Sequence, residues 1–284
     1  MYIPRYWVRA TGQVPTALDR PYYEIVAWGW SNEDRAGAEQ KAHERLAAFA
    51  QRVQQGLDLN RGYAYAGKPL REEIVQELKG RGGDPAGVVT RNSYGSLVLN
   101  TAGAMFIDID LPESPPDAGF LGGLFGKKPS VSPQDALLAT LREGLQRASS
   151  GSFRIYQTAA GFRVLATDRA YDPRSPEAQA LMTAVGVDPA FLHLCRIQES
   201  FRARLTPKPW RCGQRLPPGQ HPRDDQWDQA SFAQWLAQYD QACQSKATCK
   251  FVESVGWGKV DEEIQPILDL HDSATRAGAG LPLA

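Results

Sequence analysis

Hydrophobic and polar positions alternate over several short stretches of the chain, and elsewhere apolar residues recur every three to four positions. Alternation puts successive side chains on opposite faces of a strand, whereas the longer period marks one stripe of a helix. Near the N-terminus, "PRYWVRATG" and "YYEIVAWGWS" read as strands, rich in aromatic and β-branched residues. A helix follows, with Ala42, Leu46, Phe49 and Val53 on one stripe. Ser31 is its expected N-cap, with Asp34 three residues on. Beyond Gly56, "YAYAGKPL" supplies a short strand, and "EEIVQEL" fits either strand or helix. Gly80, Gly82, Gly83 and Pro85 then mark a break.

A second block holds strands around 88–90, 96–100 and 105–111, joined by turn chemistry at "NSYG" and "NTAG". "PESPPDAGFLGGLFGKKPSVSP" is loop by composition, either a surface insertion or a lid. "SPQDALLATLREGLQRA" is a helix capped by Ser132 with Pro133 at its first position. "SFRIYQTAAGFRVLATD" returns as strand, turning at "TAAG", and the helix "SPEAQALMTAVGV" follows. In "FRARL", Phe201, Ala203 and Leu205 face one way and Arg202 and Arg204 the other. The tail from about Asp224 reads as helical to a final helix near 262–271.

Strands that arrive in runs joined by short turns, rather than in β-α-β alternation, predict an α+β fold. Its centre is a mostly antiparallel sheet drawn from 88–206, flanked by the 132–148 and 176–186 helices. A small N-terminal β-β-α unit packs beside it. The expected division is 1–85 for that unit, 86–215 for the core and 216–284 for a helical C-terminal extension.

The 284 residues carry 32 Lys and Arg against 32 Asp and Glu, so net charge implies no partner. Any nucleic-acid site has to be a local patch. No apolar run is long enough to cross a bilayer, and "MYIPRYWVRA" lacks a signal peptide's apolar core, so no membrane is expected and the cytoplasm is the expected compartment. Cys195, Cys212, Cys243 and Cys249 contain no C-x-x-C pair and read as separate reduced thiols. Zinc is the alternative, with Cys212, Cys243 and Cys249 as its expected ligands. Trp7, Trp28, Trp30 and Tyr94 read as core aromatics rather than base-stacking platforms. The chain has no P-loop and no G-x-G-x-x-G.

The chemistry gathers at "AMFIDIDLPES", residues 104–114. Met105, Ile107, Ile109 and Leu111 share a core face, and Phe106, Asp108 and Asp110 share the other. Pro112 ends the strand and leaves Asp110 at its rim. The two carboxylates stand roughly 7 Å apart and repel unless a cation, a basic side chain or water separates them. D-x-D spacing suits Mg²⁺ or Mn²⁺, which take oxygen ligands and keep positions open for phosphates. Arg202, Arg204 and Lys208, with Arg196 and Arg211 nearby, suit the same phosphates. Together they describe a phosphoryl- or nucleotidyl-transfer site. The competing readings are an edge strand blunted by charge and a salt-bridged face without catalysis.

The order "FIDIDLP", then "YQTAAGFRVL", then "VD…R…FRARLTPKPW" resembles the archaeo-eukaryotic primase and primase-polymerase superfamily over about residues 88–210. The resemblance implies a primase-like core in which Asp108, Asp110 and Asp188 are catalytic, with Asp108 and Asp110 holding the Mg²⁺ or Mn²⁺. It implies Arg163, Arg202, Arg204 and Lys208 as nucleotide or phosphate contacts, and a nucleotide or nucleic acid as partner. This chain departs from the family pattern in placing Arg163 where the second motif carries a histidine, and "RLTPKPW" where the family has its own basic stretch. Asp188, in "VDP", also fits a helix N-cap, and Asp168 competes for the third-carboxylate role. Three functions follow. The first is a metal-dependent nucleotidyl-transfer or phosphate-ester enzyme. The second is a catalytically inactive relative that binds nucleotide or nucleic acid, with Arg163 neutralising the carboxylates. The third is a protein-interaction module that docks through its basic face.

Overall fold

The computed structural model describes residues 1–15, 22–55, 69–80, 83, 85–111, 132–148, 150–187 and 189–284. Strands β1 (Tyr6–Pro15) and β2 (Tyr22–Ser31) pair antiparallel along their whole length. Helix α1 (Arg35–Gln54) lies across them with Ala38 and Ala42 fully buried. Gly29 permits that approach, because a Cβ there would stand 2.0 Å from the Ala38 carbonyl oxygen. This is the β-β-α unit expected from the pattern. Its cap is shifted: Asp34 accepts the Gly37 N–H, while the Ser31 hydroxyl accepts from Glu33 and Asp34 one step earlier.

Among the described residues the remaining strands form two four-stranded sheets, both wholly antiparallel. One sheet contains β3 (Glu73–Lys79), β4 (Pro85–Arg91), β5 (Leu97–Thr101) and β9 (Phe201–Arg204), in the order β3-β4-β5-β9. The other contains β6 (Phe106–Asp110), β7 (Phe153–Thr158), β8 (Gly161–Ala166) and β10 (Cys249–Val255), in the order β10-β7-β8-β6. The fold is α+β, as expected, but the single central sheet is divided. The Thr101 hydroxyl donates to the Ala104 carbonyl and closes a turn between β5 and β6. β6 therefore leaves its predecessor and pairs with β8, while β9 returns to β5.

Two expected boundaries are crossed. "EEIVQEL" is a strand, β3, and it pairs with β4 across the 85/86 division. The C-terminal stretch is not wholly helical, because "CKFVESV" forms β10 at the edge of the second sheet. Its helices are α5 (Gln226–Cys243) and α6 (Gln265–Thr275). α2 (Pro133–Ala148), α3 (Pro176–Ala184) and α4 (Pro189–Gln198) are the other helices among the described residues apart from a 3-10 turn at Pro209–Cys212, with Ser132 and Ser175 capping α2 and α3. Ile107, Ile109, Ile155 and Val164 join Leu141 and Leu145 of α2 and Leu181 and Met182 of α3 in the main core. The opposite sheet face, carrying Phe106, Tyr156 and Arg163, meets His271 of α6. Among the described residues no helix is long and apolar enough to cross a membrane.

Candidate functional site

Asp108 and Arg163 are direct cross-strand partners in the β6–β8 ladder. Their side chains share one sheet face and meet in a two-toothed ion pair, Nε to Oδ1 at 2.6 Å and Nη2 to Oδ2 at 2.8 Å. Gly161 lets the strands close at this end, since a Cβ there would stand 2.0 Å from the Ile109 carbonyl oxygen. Arg163 has no solvent exposure. Its remaining nitrogen, Nη1, donates to the Arg204 carbonyl at 2.7 Å and lies 3.4 Å from His271 Nε2 and 3.5 Å from Cys249 Sγ. Burial opposes ionisation of Asp108, but the Arg163 charge and hydrogen bonds outweigh it and hold the carboxyl below its ordinary value.

A polar chain continues behind the arginine. Burial, with the Arg163 charge, pushes His271 down to about 4, so the ring is neutral at neutral pH. Its Nδ1 lies 3.0 Å from Asp272 Oδ1, which places the ring proton there and leaves Nε2 free to accept from Arg163. Asp272 also takes Arg154 Nη2 at 2.8 Å and hydrogen-bonds the buried Tyr156 hydroxyl. The whole reads as an internal brace between sheet and α6, in which every buried charge has a counter-charge.

Arg202 and Arg204 share the outward face of β9, as the alternation predicted, yet their fates differ. Arg202 donates to both oxygens of the buried Glu72 at 2.8 and 3.0 Å, and the Thr90 hydroxyl also donates to Glu72. It is an internal tie rather than a free phosphate contact. The sequence offered no way to select Glu72 from "REEI", since its partner lies 130 positions on.

Arg204 has no hydrogen-bond or ion-pair partner for its guanidinium among the described residues, and its Nε is buried and unsatisfied. Burial lowers its pKa, and the charges of Arg163 and Arg211 push the same way. Lys208 is likewise lowered by burial and by Arg204 and Arg211, with Asp110 acting against them. Arg204, Lys208 and Arg211 thus form a cluster of like charges at the end of β9. Asp110 is exposed at the rim of β6, as expected from Pro112. Beside the cluster, Lys208 Nζ lies 5.4 Å from the centre of the Trp210 ring, and Trp210 meets Tyr94 edge-on at 5.4 Å. Trp210 and Tyr94 are 51% and 44% exposed, so Tyr94 is a surface aromatic and not the core residue its type suggested. Trp7 and Trp30 are buried, as read.

Of the expected site residues, Asp108 and Arg163 come together as a pair, with Arg204, Lys208 and Asp110 near them and Arg202 held by Glu72. Asp188 and the 113–131 loop lie outside the described residues. Asp168 accepts from the Tyr171 hydroxyl at 3.2 Å, in a different part of the molecule's surface lined with Trp257 and Asp261. The donor set does not fit the expected divalent metal. Both Asp108 oxygens point at Arg163, and a guanidinium at 2.6 Å repels a cation. Among the described residues no three His, Cys, Asp or Glu side chains stand together so as to hold a metal. The four cysteines are free thiols. Cys212 and Cys243 both pack on the Phe232–Trp235–Tyr239 cluster, whereas Cys249 lies against Arg163, so the expected zinc trio is split between two places. Comparison with known proteins finds no matching family model, no matching curated protein and no matching solved structure.

Proposed function

We propose that the protein binds single-stranded nucleic acid through the surface that follows β9. Arg204, Lys208 and Arg211 take phosphates there, and Trp210 with Tyr94 offers faces on which bases stack. The observation that carries this reading is a cluster of three cations with no ion-pair partner among the described residues: they raise one another's electrostatic cost beside two half-exposed aromatic rings. A backbone phosphate relieves the first, and a base covers the second. Stacking on a protein aromatic contributes about 1–3 kcal/mol per base, and it tolerates any sequence. This is the inactive-relative alternative drawn from the primase-polymerase resemblance. The nucleotidyl-transfer alternative loses one of its two metal carboxylates to Arg163.

The test is fluorescence anisotropy of a labelled ribo- or deoxyribo-oligonucleotide with the full chain. Lys208→Ala and Arg211→Ala should each weaken binding and flatten its salt dependence by about 0.7 in log–log slope. Trp210→Ala should weaken binding by about tenfold or more, with little change in slope. Equal binding by all three variants and the wild type would remove this surface from the reading.

A further inference from the structure

A cavity of about 550 Å³ opens where the end of α2, the 150–152 segment, the 168–169 turn after β8, the first turn of α3 and the 257–261 loop after β10 meet. Small-molecule sites run from roughly 300 to 1,000 Å³. None of the residues of the basic surface lines it, so it stands apart from the function proposed above.

The loop after β10 is pinned at both ends. Gly256, at φ +91°, comes so near the preceding segment that a Cβ would stand 2.1 Å from the Gly151 carbonyl oxygen. At the other end, the Asp261 N–H donates to the Thr167 carbonyl at 2.7 Å. Between these points Trp257 is presented next to Gly258, itself at φ +70°. Trp257 is 88% exposed, and among the described residues its ring stacks on nothing. The largest aromatic side chain, 88% exposed at the edge of a cavity on a loop pinned at both ends, is a surface prepared for something else.

The charges on the lining set the class of ligand. Asp168, Glu177 and Asp261 line the cavity together with Arg169 and Lys259. Arg169 is already engaged: it pairs with Glu177 and Asp168 and lies 4.4 Å from the centre of the Tyr171 ring. One negative charge is left in excess. An anionic ligand would meet that excess, and a neutral ring would leave it unanswered.

We propose that this cavity binds a small organic cation of the amine or guanidine class, stacked against the Trp257 indole and paired with Asp168 and Asp261. Trp presents the strongest cation–π face of the aromatic residues, and carboxylates on the other side complete the recognition.

Isothermal titration of the full chain at low salt tests this, with agmatine and spermidine as probes and adenosine and AMP as neutral and anionic controls. Trp257→Ala should leave the melting temperature unchanged, because the ring is almost wholly exposed, and should weaken agmatine binding at least tenfold. Trp257→Phe should restore much of it, and Asp261→Asn should weaken it while keeping the shape of the loop. Raising the salt should weaken binding in the wild type. The proposal is overturned by the absence of heat from either cation at millimolar concentration. It is equally overturned by agmatine binding as tight in Trp257→Ala as in the wild type, or by adenosine or AMP binding better than agmatine.

Discussion

Truncating Asp108 to alanine puts the ion pair under direct strain. Arg163 is fully buried, and the substitution strips two of its nitrogens, Nε and Nη2, of their acceptors. Only Nη1 keeps its bond to the Arg204 carbonyl. Breaking a buried pair on one side costs about 3–5 kcal/mol, because an uncompensated charge stays inside. The Asp108 side chain is 38% exposed, so water can follow into the space it leaves, and the lower end of that range, about 3 kcal/mol, is expected here. Urea unfolding by linear extrapolation measures the loss. The partner substitution sharpens the test. Asp108→Ala combined with Arg163→Met replaces the pair with apolar groups, and should recover a large part of the loss, a coupling of about 1–3 kcal/mol. The reasoning fails if Asp108→Ala lies within about 0.5 kcal/mol of wild type, the scatter of ordinary surface changes. It fails equally if Mn²⁺ stabilises the wild type and Asp108→Ala abolishes that effect.

Three further outcomes follow from the same geometry. His271 has a folded pKa of about 4 against an ordinary 6.5, so between those values the unfolded chain binds the extra proton. Stability should therefore rise with pH across that window, falling by about 2 kcal/mol from pH 7 to pH 5 in unfolding titrations, and His271→Gln should flatten the dependence. A wild-type chain equally stable at both values would contradict a buried neutral ring. Arg202→Ala leaves Glu72 buried without its partner, so it should lower stability by about 3 kcal/mol yet leave oligonucleotide affinity within about twofold, unlike Lys208→Ala. Ellman's reagent on the native protein should label the half-buried Cys212 and Cys243 slowly and reach Cys195 and Cys249 only after unfolding. Mass mapping reads the sites, and early labelling of Cys249 would place it outside the brace.

Much of the fold was legible because local periodicity carries it. Strand alternation at 105–111 and at "FRARL", the Ser132 cap of α2 and the "TAAG" turn all have causes within a few residues. The division into two sheets was not legible, because it depends on which edge β6 and β9 choose, and both choices satisfy the same alternation. The site splits along the same line. That Asp108 needed cationic company follows from charge spacing alone, and Arg163 was among the candidates. That Arg163 leaves no room for a metal depends on register, which sets Asp108 opposite it rather than one residue away. Arg202 and Arg204 are alike in the sequence, and only the distant Glu72 distinguishes them. Tyr94 and Trp210 come from segments more than 100 positions apart, so their contact has no local signature.

The most direct measurement is the anisotropy of a labelled single-stranded oligonucleotide with the wild-type protein in EDTA, followed across a salt series. Three phosphate contacts by Arg204, Lys208 and Arg211 predict binding without any divalent ion and a log–log salt slope of about −2. Binding that appears only when Mg²⁺ or Mn²⁺ is added, or affinity that does not change with salt, would contradict it.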